Sequence, residues 1–252
     1  MLKMSFNTIV FFICSLVFCS ISGRSLPSFI KACRRNDANI NNCIKNMLET
    51  LRPYAVNGIP EMHVPPLDPI SIPLITLNQG TNSVNFKAVF TNLKGYGGKD
   101  FQTKNVRINL KENTFDVDLF FPNFQIDSKY EINGKILMLP IKGNGLFVGN
   151  FSNIDTSLRI VLKTEKRKNG KLHYDFKEKN INLNIGNAKI NFSNLFNGNK
   201  EMSNNVNRFI NENWRSLLQE TKPLFEDTVL AMFVNIYKPV FDMYSIDELF
   251  PV

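Results

Sequence analysis

The spacing of the hydrophobic residues changes once along this chain, near residue 200. Between Leu67 and Phe192 they recur at every second position, in segments bounded by Gly, Asn and Pro, which is typical of half-buried β-strands. From Ser203 to about Tyr244 they recur every three or four positions, as in an amphipathic α-helix. A helix this apolar must be covered. We therefore predict an α+β fold in which a long C-terminal helix packs against the apolar face of an antiparallel sheet.

The same pattern indicates how the sheet and the helix are divided. We expect about ten strands in meander order, with tight hairpin turns at Lys168-Asn169-Gly170 and Gly186-Asn187. The helix would be about 60 Å long, and Pro223 and Pro239 should kink or divide it. A helix inside a strongly curved sheet either packs solidly or leaves a channel. The hydrophobic period leaves both arrangements open, although the close packing of protein interiors favours a solid core.

The composition supports a globular domain and argues against a nucleic-acid-binding one. Of the 252 residues, 43% are hydrophobic, which is enough for a core. Lys and Arg number 30 and Asp and Glu 22, a net charge of +8. This mild excess allows attraction to anionic surfaces or ligands but is too small for a nucleic-acid partner. The basic residues among 163–171 bracket one predicted hairpin, where a solvated turn explains them and contact with a membrane is the alternative.

The N-terminal segment has the pattern of a secretory signal peptide. A positive residue, Lys3, precedes an apolar run over residues 9–19, and small residues follow it. The run is shorter than the roughly 20 residues that a membrane-spanning helix needs, so a membrane anchor is the weaker alternative. We predict a signal peptide at residues 1–22, a single mature domain at residues 23–252, and secretion to the extracellular space.

Removal of the predicted signal peptide leaves two cysteines, Cys33 and Cys43. In an oxidising compartment such a pair predicts one disulfide. Ten residues of straight helix would separate them by about 15 Å, too far for the roughly 4.4–6.8 Å between Cα atoms that a bridge needs. The chain must therefore turn between them, and we expect a short helix beginning at Pro27, a turn, and a second helix from Ile40. Two cysteines are too few for a metal site.

Two sequons agree with secretion. Asn150-Phe151-Ser152 and Asn191-Phe192-Ser193 both fit the N-glycosylation pattern. The alternation of apolar and polar residues places Asn191 on the polar face of its strand, where a glycan can be attached.

Sequence motifs of catalysis are absent. The chain has no G-x-S-x-G elbow, no H-E-x-x-H zinc motif and no Walker loop. Of its two histidines, His63 lies in a Pro-rich stretch that predicts a loop, and the alternation places His173 on a polar, solvent-exposed strand face. We expect neither an enzyme nor a bound cofactor or metal.

Several short segments together resemble the insect takeout and juvenile-hormone-binding protein family, in the order in which that family has them. They are 26–33 (LPSFIKAC), 51–53 (LRP), 57–60 (NGIP), 66–69 (PLDP), 134–140 (GKILMLP), 143–145 (GNG), 211–214 (NENW) and 249–251 (LFP). The single cysteine pair after residue 22 resembles the takeout branch. The resemblance implies a strongly curved sheet wrapped around a long helix, similar to one half of bactericidal/permeability-increasing proteins, with an apolar ligand held in an internal tunnel.

The resemblance and the pattern together predict a monomeric, secreted carrier of a small hydrophobic ligand, such as a terpenoid, a juvenile-hormone-like molecule or a fatty-acyl chain. The predicted tunnel-lining residues are Phe209, Trp214, Leu217, Phe225, Met232 and Phe233 on the helix and Phe86, Val117 and Leu119 on the sheet. Each of them fits an ordinary core position equally well. Two alternatives stay open: a membrane-surface or microbial-lipid-binding protein, favoured by the positive charge, and a recognition module with a filled core.

Overall fold

The computed structural model describes residues 25–80, 84–137 and 139–252. The predicted signal peptide lies outside the described residues. Six antiparallel strands form one sheet in this part of the chain. They are β1 (Ile70–Gly80), β2 (Val84–Tyr96), β3 (Gln102–Asn109), β4 (Thr114–Ile136), β5 (Leu139–Lys166) and β6 (Leu172–Phe192). The order across the sheet is β1-β2-β4-β5-β6, and β3 pairs with the part of β4 that β2 leaves free.

The prediction of about ten strands is wrong because three strands are much longer than the sequence pattern indicates. β4, β5 and β6 contain 23, 28 and 21 residues. The hairpin predicted at Lys168-Asn169-Gly170 is confirmed, with the Gly170 amide donating to the Arg167 carbonyl at 2.9 Å. Gly186-Asn187 is not a hairpin, since it lies within β6 opposite Ser152 of β5.

In each long strand every second residue faces inward, and at one shared row of the sheet the inward-facing set shifts by one residue. The inward residues on either side of that row are Phe121 and Phe124 in β4, Ile154 and Phe151 in β5, and Ile185 and Ala188 in β6. At the row itself, Asn153 has a left-handed backbone (φ 52). Gly186 lies so close that a Cβ there would be 2.8 Å from that of Asn153. Such an irregularity bends a strand without ending it, which is why the alternation suggested separate strands.

Two helices replace the single helix that the sequence predicts from Ser203 to about Tyr244, and a further short helix follows them. The helices of the structure are α1 (Ile40–Val56), α2 (Lys200–Glu212), α3 (Trp214–Met243) and α4 (Ile246–Leu249). The long helix is divided at Asn213, whose side-chain amide donates to the Phe209 carbonyl at 2.9 Å and satisfies the end of α2. Pro223 and Pro239, the predicted break points, lie inside α3. None of the described helices is long and apolar enough to cross a membrane.

The disulfide between Cys33 and Cys43 is confirmed, with Cα atoms 5.9 Å apart. The helix predicted to begin at Pro27 is wrong: the segment makes a turn in which the Ile30 amide donates to the Pro27 carbonyl at 2.8 Å. The second predicted helix is α1. The bridge therefore fastens an irregular N-terminal segment to the start of α1.

The curved sheet wraps around α2 and α3 and confirms the predicted fold class. Its inner face holds two apolar regions. One region is filled by aromatic rings: Phe115 lies 5.9 Å from Tyr174 and 6.0 Å from Phe250, and Tyr174 lies 6.1 Å from Phe241. The other region lies between the β2 half of the sheet and the α2–α3 junction. Both arrangements left open by the sequence therefore occur, at opposite ends of the interior.

Candidate functional site

A cavity of about 350 Å³ occupies the second apolar region. Its volume is within the range of roughly 300–1,000 Å³ that small-molecule sites span. Strands supply most of its wall: Ile70, Ile72, Ile75, Leu77, Val84, Phe86, Ala88, Phe90, Leu93, Phe121, Phe124, Ile126, Ile132, Ile136, Phe147, Phe151, Ile154, Thr156, Leu183, Ile185, Ala188, Ile190 and Phe192. Helices supply Ile210, Trp214, Leu217, Leu218, Thr221, Phe225, Thr228, Val229 and Met232.

The helical part of the wall is one stripe of side chains. Trp214, Leu217, Thr221, Phe225 and Thr228 follow one another at intervals of three or four residues, so they share one face of α3. Trp214 and Leu217 are buried, whereas Phe225 is 39% exposed and lies at the rim. This stripe closes the curved sheet from inside.

The cavity has no titratable side chain among its described lining residues. The polar side-chain groups of this lining are three threonine hydroxyls and the indole N–H of Trp214, and two of the threonines already use their hydroxyl hydrogen. Thr221 donates to the Leu217 carbonyl and Thr228 to the Leu224 carbonyl, each at 2.7 Å. No cluster of metal-binding side chains occurs in the described ranges. Such a lining suits apolar groups.

The edge of β6 is joined to the helices by side-chain amides. Asn211 accepts from the Ile190 amide at 2.8 Å and donates to the Ile190 carbonyl at 2.7 Å. Asn207 makes the same pair of bonds with Phe192, at 2.8 and 2.9 Å. Further along, Glu226 accepts from the Leu183 amide at 2.8 Å. These side chains satisfy an edge that would otherwise be unpaired, and they seal the cavity on this side.

Tyr130 fixes the wall behind the cavity. Its hydroxyl donates to the Ser193 carbonyl at 2.7 Å, and its ring lies 4.8 Å from that of Phe192. Burial raises the pKa of Tyr130 to about 12, so the phenol stays a neutral hydrogen-bond donor at physiological pH. The bond ties β4 to the chain that follows β6.

Five of the predicted lining residues lie around the cavity and four do not. Phe86, Trp214, Leu217, Phe225 and Met232 are in its wall. The other four lie outside this wall. Val117 and Phe233 pack in the filled region, and Phe209 and Leu119 are half-buried elsewhere.

Simple geometry explains why these four predicted residues lie outside the cavity wall. Phe209 and Phe233 are each one position from a lining residue, Ile210 and Met232, and one position turns a helix by about 100°. Val117 faces inward, but in the half of β4 that packs against the filled region, and Leu119 lies opposite Thr156 of β5. Reasoning from the sequence named none of the lining residues of β1, β5 and β6. Their alternation is visible in the sequence, but in β5 and β6 the change of inward-facing set at Asn153 and Gly186 hides which residues share a face.

The histidines lie away from the cavity lining. His63 is exposed after a 3₁₀ turn, as its predicted loop position requires. The expectation that His173 is exposed is wrong, since it is 4% exposed. Its Nδ1 lies 3.0 Å from the Phe241 carbonyl, because the end of α3 covers this part of β6. Neither histidine contributes to the candidate site.

Both sequon asparagines lie on the outside of the sheet. Asn150 and Asn191 are exposed, while the next residues, Phe151 and Phe192, line the cavity. Adjacent strand residues point to opposite faces, so a glycan at either asparagine would project away from the interior.

Comparison with known proteins agrees with this architecture. A family model described as haemolymph juvenile hormone binding protein matches residues 9–251. The circadian clock-controlled protein daywake of Drosophila melanogaster is 25% identical over 244 residues, which are 94% of this chain and 93% of that protein. The Drosophila yakuba daywake is also 25% identical, over 236 residues, with 91% and 90% covered.

A solved structure supports the same assignment. The crystal structure of Epiphyas postvittana Takeout 1 is similar to this fold with a TM-score of 0.74 and 28% sequence identity, covering 88% of this chain and 100% of that one. The match of the family model to nearly the whole chain confirms the resemblance seen in the sequence. The chain belongs to the haemolymph juvenile hormone binding protein family.

Proposed function

We propose that this protein is a secreted carrier that binds a small hydrophobic molecule non-covalently in the cavity. The observation that carries the proposal is an interior volume of about 350 Å³ whose described lining holds no charged side chain. Water gains few hydrogen bonds in such a space, and an apolar guest loses none by entering it. A terpenoid, a juvenile-hormone-like molecule or a fatty-acyl chain has the chemistry that suits this wall. The description of the family model, which names juvenile hormone, is consistent with that class.

The expected affinity follows from the apolar area that a guest would bury. About 400 Å² at roughly 25 cal/mol per Å² contributes about 10 kcal/mol. Association and ordering costs of about 4–15 kcal/mol offset much of this gain. Micromolar to nanomolar dissociation constants are therefore expected.

Secretion belongs to the same proposal. It is supported by the signal-peptide pattern at residues 1–22, by the disulfide between Cys33 and Cys43, and by the exposure of both sequon asparagines. A single domain over residues 23–252, acting as a monomer without a cofactor, is the simplest form of such a carrier.

A variant that fills the cavity tests the proposal. Ala88 is fully buried in the wall, whereas Lys87, its neighbour in β2, is exposed on the outer face. We expect Ala88→Trp to abolish binding of the neutral fluorescent probe N-phenyl-1-naphthylamine, because the indole would occupy the space of the guest. Lys87→Trp adds the same ring outside and should bind the probe like the unmodified protein.

Overpacking costs typically about 1–3 kcal/mol, so Ala188→Leu serves as a milder cavity-filling variant if Ala88→Trp unfolds. Native mass spectrometry of the secreted protein should also show a retained apolar ligand. Probe binding that is equal in the unmodified protein and in folded cavity-filling variants would refute the carrier function.

Contact with anionic membranes is the second candidate function, and one surface favours it. Lys87 and Lys142 flank Asn133 in one cross-strand row on the outside of the sheet. Lys135 lies on a neighbouring diagonal, about 7–8 Å from each. All three are exposed, and none forms an ion pair with a carboxylate in the described part of the chain.

Vesicle sedimentation tests this candidate. Protein should pellet with phosphatidylserine vesicles at low salt, not with phosphatidylcholine vesicles, and moderate salt should release it. The variant K87Q/K135Q/K142Q should lose this binding. The control K31Q/K111Q/K179Q removes the same charge from exposed lysines elsewhere. If this control lost vesicle binding equally, total charge and not the surface around Asn133 would cause the binding.

A further inference from the structure

Among the described residues that line the cavity, one hydroxyl group has a hydrogen that is not already used. Three described lining residues carry a hydroxyl, beside the indole N–H of Trp214, and two of them, Thr221 and Thr228, donate to carbonyls one helical turn away. Thr156 lies in β5 rather than in a helix, so no such carbonyl is within its reach. It is 7% exposed, and its side chain makes no hydrogen bond to any described residue. A hydroxyl in an apolar cavity wall without a partner is unfavourable, and a ligand can supply the partner.

Thr156 marks the boundary between the cavity and the filled region. Its strand partners are Leu119 of β4 and Leu183 of β6. The next inward-facing residue of β5, Leu158, packs in the filled aromatic region and not in the cavity wall. A polar group at the leading end of an elongated ligand would meet this hydroxyl, while its hydrocarbon part lay along the apolar wall.

The surroundings of Thr156 restrict the charge of that polar group. No Lys, Arg or His is among the described lining residues, so an ionised carboxylate would exchange its water for at most neutral donors, the Thr156 hydroxyl and the Trp214 indole N–H. Burial of a charge without a partner of opposite charge is strongly unfavourable. An ester, ketone or ether oxygen loses far less on entering and accepts the same hydrogen bond.

We propose that the Thr156 hydroxyl is the hydrogen-bonding anchor of the cavity and that it selects neutral ligands with a hydrogen-bond acceptor at one end over ionised ones. The inference rests on the proposed carrier function, which it narrows from hydrophobic molecules in general to this class. Thr156 acts as a specificity-determining residue rather than as a source of most of the affinity.

Competition between three ligands of similar length tests this assignment. Pentadecane, methyl laurate and laurate at pH 8 would each displace N-phenyl-1-naphthylamine from the unmodified protein. We expect methyl laurate to bind about tenfold more tightly than pentadecane, as one satisfied hydrogen bond allows, and laurate to bind more weakly than the ester. Thr156→Val should remove the advantage of the ester over the alkane.

Two further variants separate the hydroxyl from the packing. Thr156→Ser keeps the hydroxyl and should keep the preference for the ester. Thr164→Val makes the same replacement at an exposed position of β5 and should leave all three affinities unchanged. An ester preference that survives in Thr156→Val, or laurate binding at least as tightly as methyl laurate, would overturn this inference alone. Displacement by none of the three ligands would overturn the carrier function together with it.

Discussion

Replacement of Asn211 by Leu should destabilise the protein by breaking the join between β6 and α2. The Asn211 side chain makes both an accepting and a donating bond to Ile190, at 2.8 and 2.7 Å. Leu is similar in size but can make neither bond. The Ile190 amide and carbonyl would then lose their partners at a half-buried edge.

The magnitude follows from these two bonds. Each contributes about 1 kcal/mol net, and a buried backbone group left unpaired costs about 1–3 kcal/mol. Partial access of water to the edge lowers that cost, so we expect a loss of about 2–4 kcal/mol in the free energy of unfolding. At about 2–4 °C per kcal/mol for a domain of this size, the melting temperature should fall by about 8 °C.

Urea unfolding followed by tryptophan fluorescence is the suitable assay. Trp214 is the only tryptophan of the chain, is 8% exposed and begins α3 three residues after Asn211. Asn205→Leu is the matched control, because Asn205 is exposed on the same helix and, among the described residues, accepts only from Arg208, at 3.0 Å. The two variants share the small gain in helix propensity from Asn to Leu. If Asn211→Leu were no less stable than Asn205→Leu, the amide bonds to β6 would not hold the cavity wall.

Three other perturbations have definite expected outcomes. Burial raises the pKa of Glu248, but hydrogen bonds from Lys171 and Ser245 outweigh it and lower the pKa to about 2. The carboxylate therefore contributes stability above its ordinary pKa of 4.5, and this is lost as the pH falls towards 2; thermal melts of Glu248→Gln should approach those of the unmodified protein over that interval. Replacing both Cys33 and Cys43 by Ser should cost about 2–3 kcal/mol in urea unfolding, because the loop is no longer closed in the unfolded chain, and a reductant should have no effect on the variant. Asn150→Gln and Asn191→Gln should each remove one glycan mass from protein secreted by insect cells, and secreted protein without any glycan would show that the sequons are unused.

Local features of the sequence were sufficient for the fold class, the helix α1 and the disulfide. The alternation over residues 67–192 and the helical period after Ser203 each depend on neighbours within a few positions, and both survive in the structure. The turn between Cys33 and Cys43 followed from the length of a straight helix alone. The family resemblance added the curvature of the sheet, which no local pattern contains.

The break of the long helix shows where local reasoning fails. Pro223 and Pro239 were the obvious candidates, yet the helix is divided at Asn213. Asn207 and Asn211 hold α2 against Phe192 and Ile190 of β6. These contacts join residues that are distant in sequence. The spacing of the hydrophobic residues therefore gives no sign of them.

Hydrophobic spacing indicates that one face of each strand and of the helix is apolar. Whether those side chains meet or leave a space was decided by the way the strands bend across the sheet. The phase change at Asn153 and Gly186 and the distance between the two walls determine that Phe115 and Phe250 touch while Phe86 and Trp214 enclose a cavity. The reason is that hydrophobic spacing indicates only the direction in which a side chain points. Packing depends on the distance between backbones, and strand pairing and sheet curvature determine that distance.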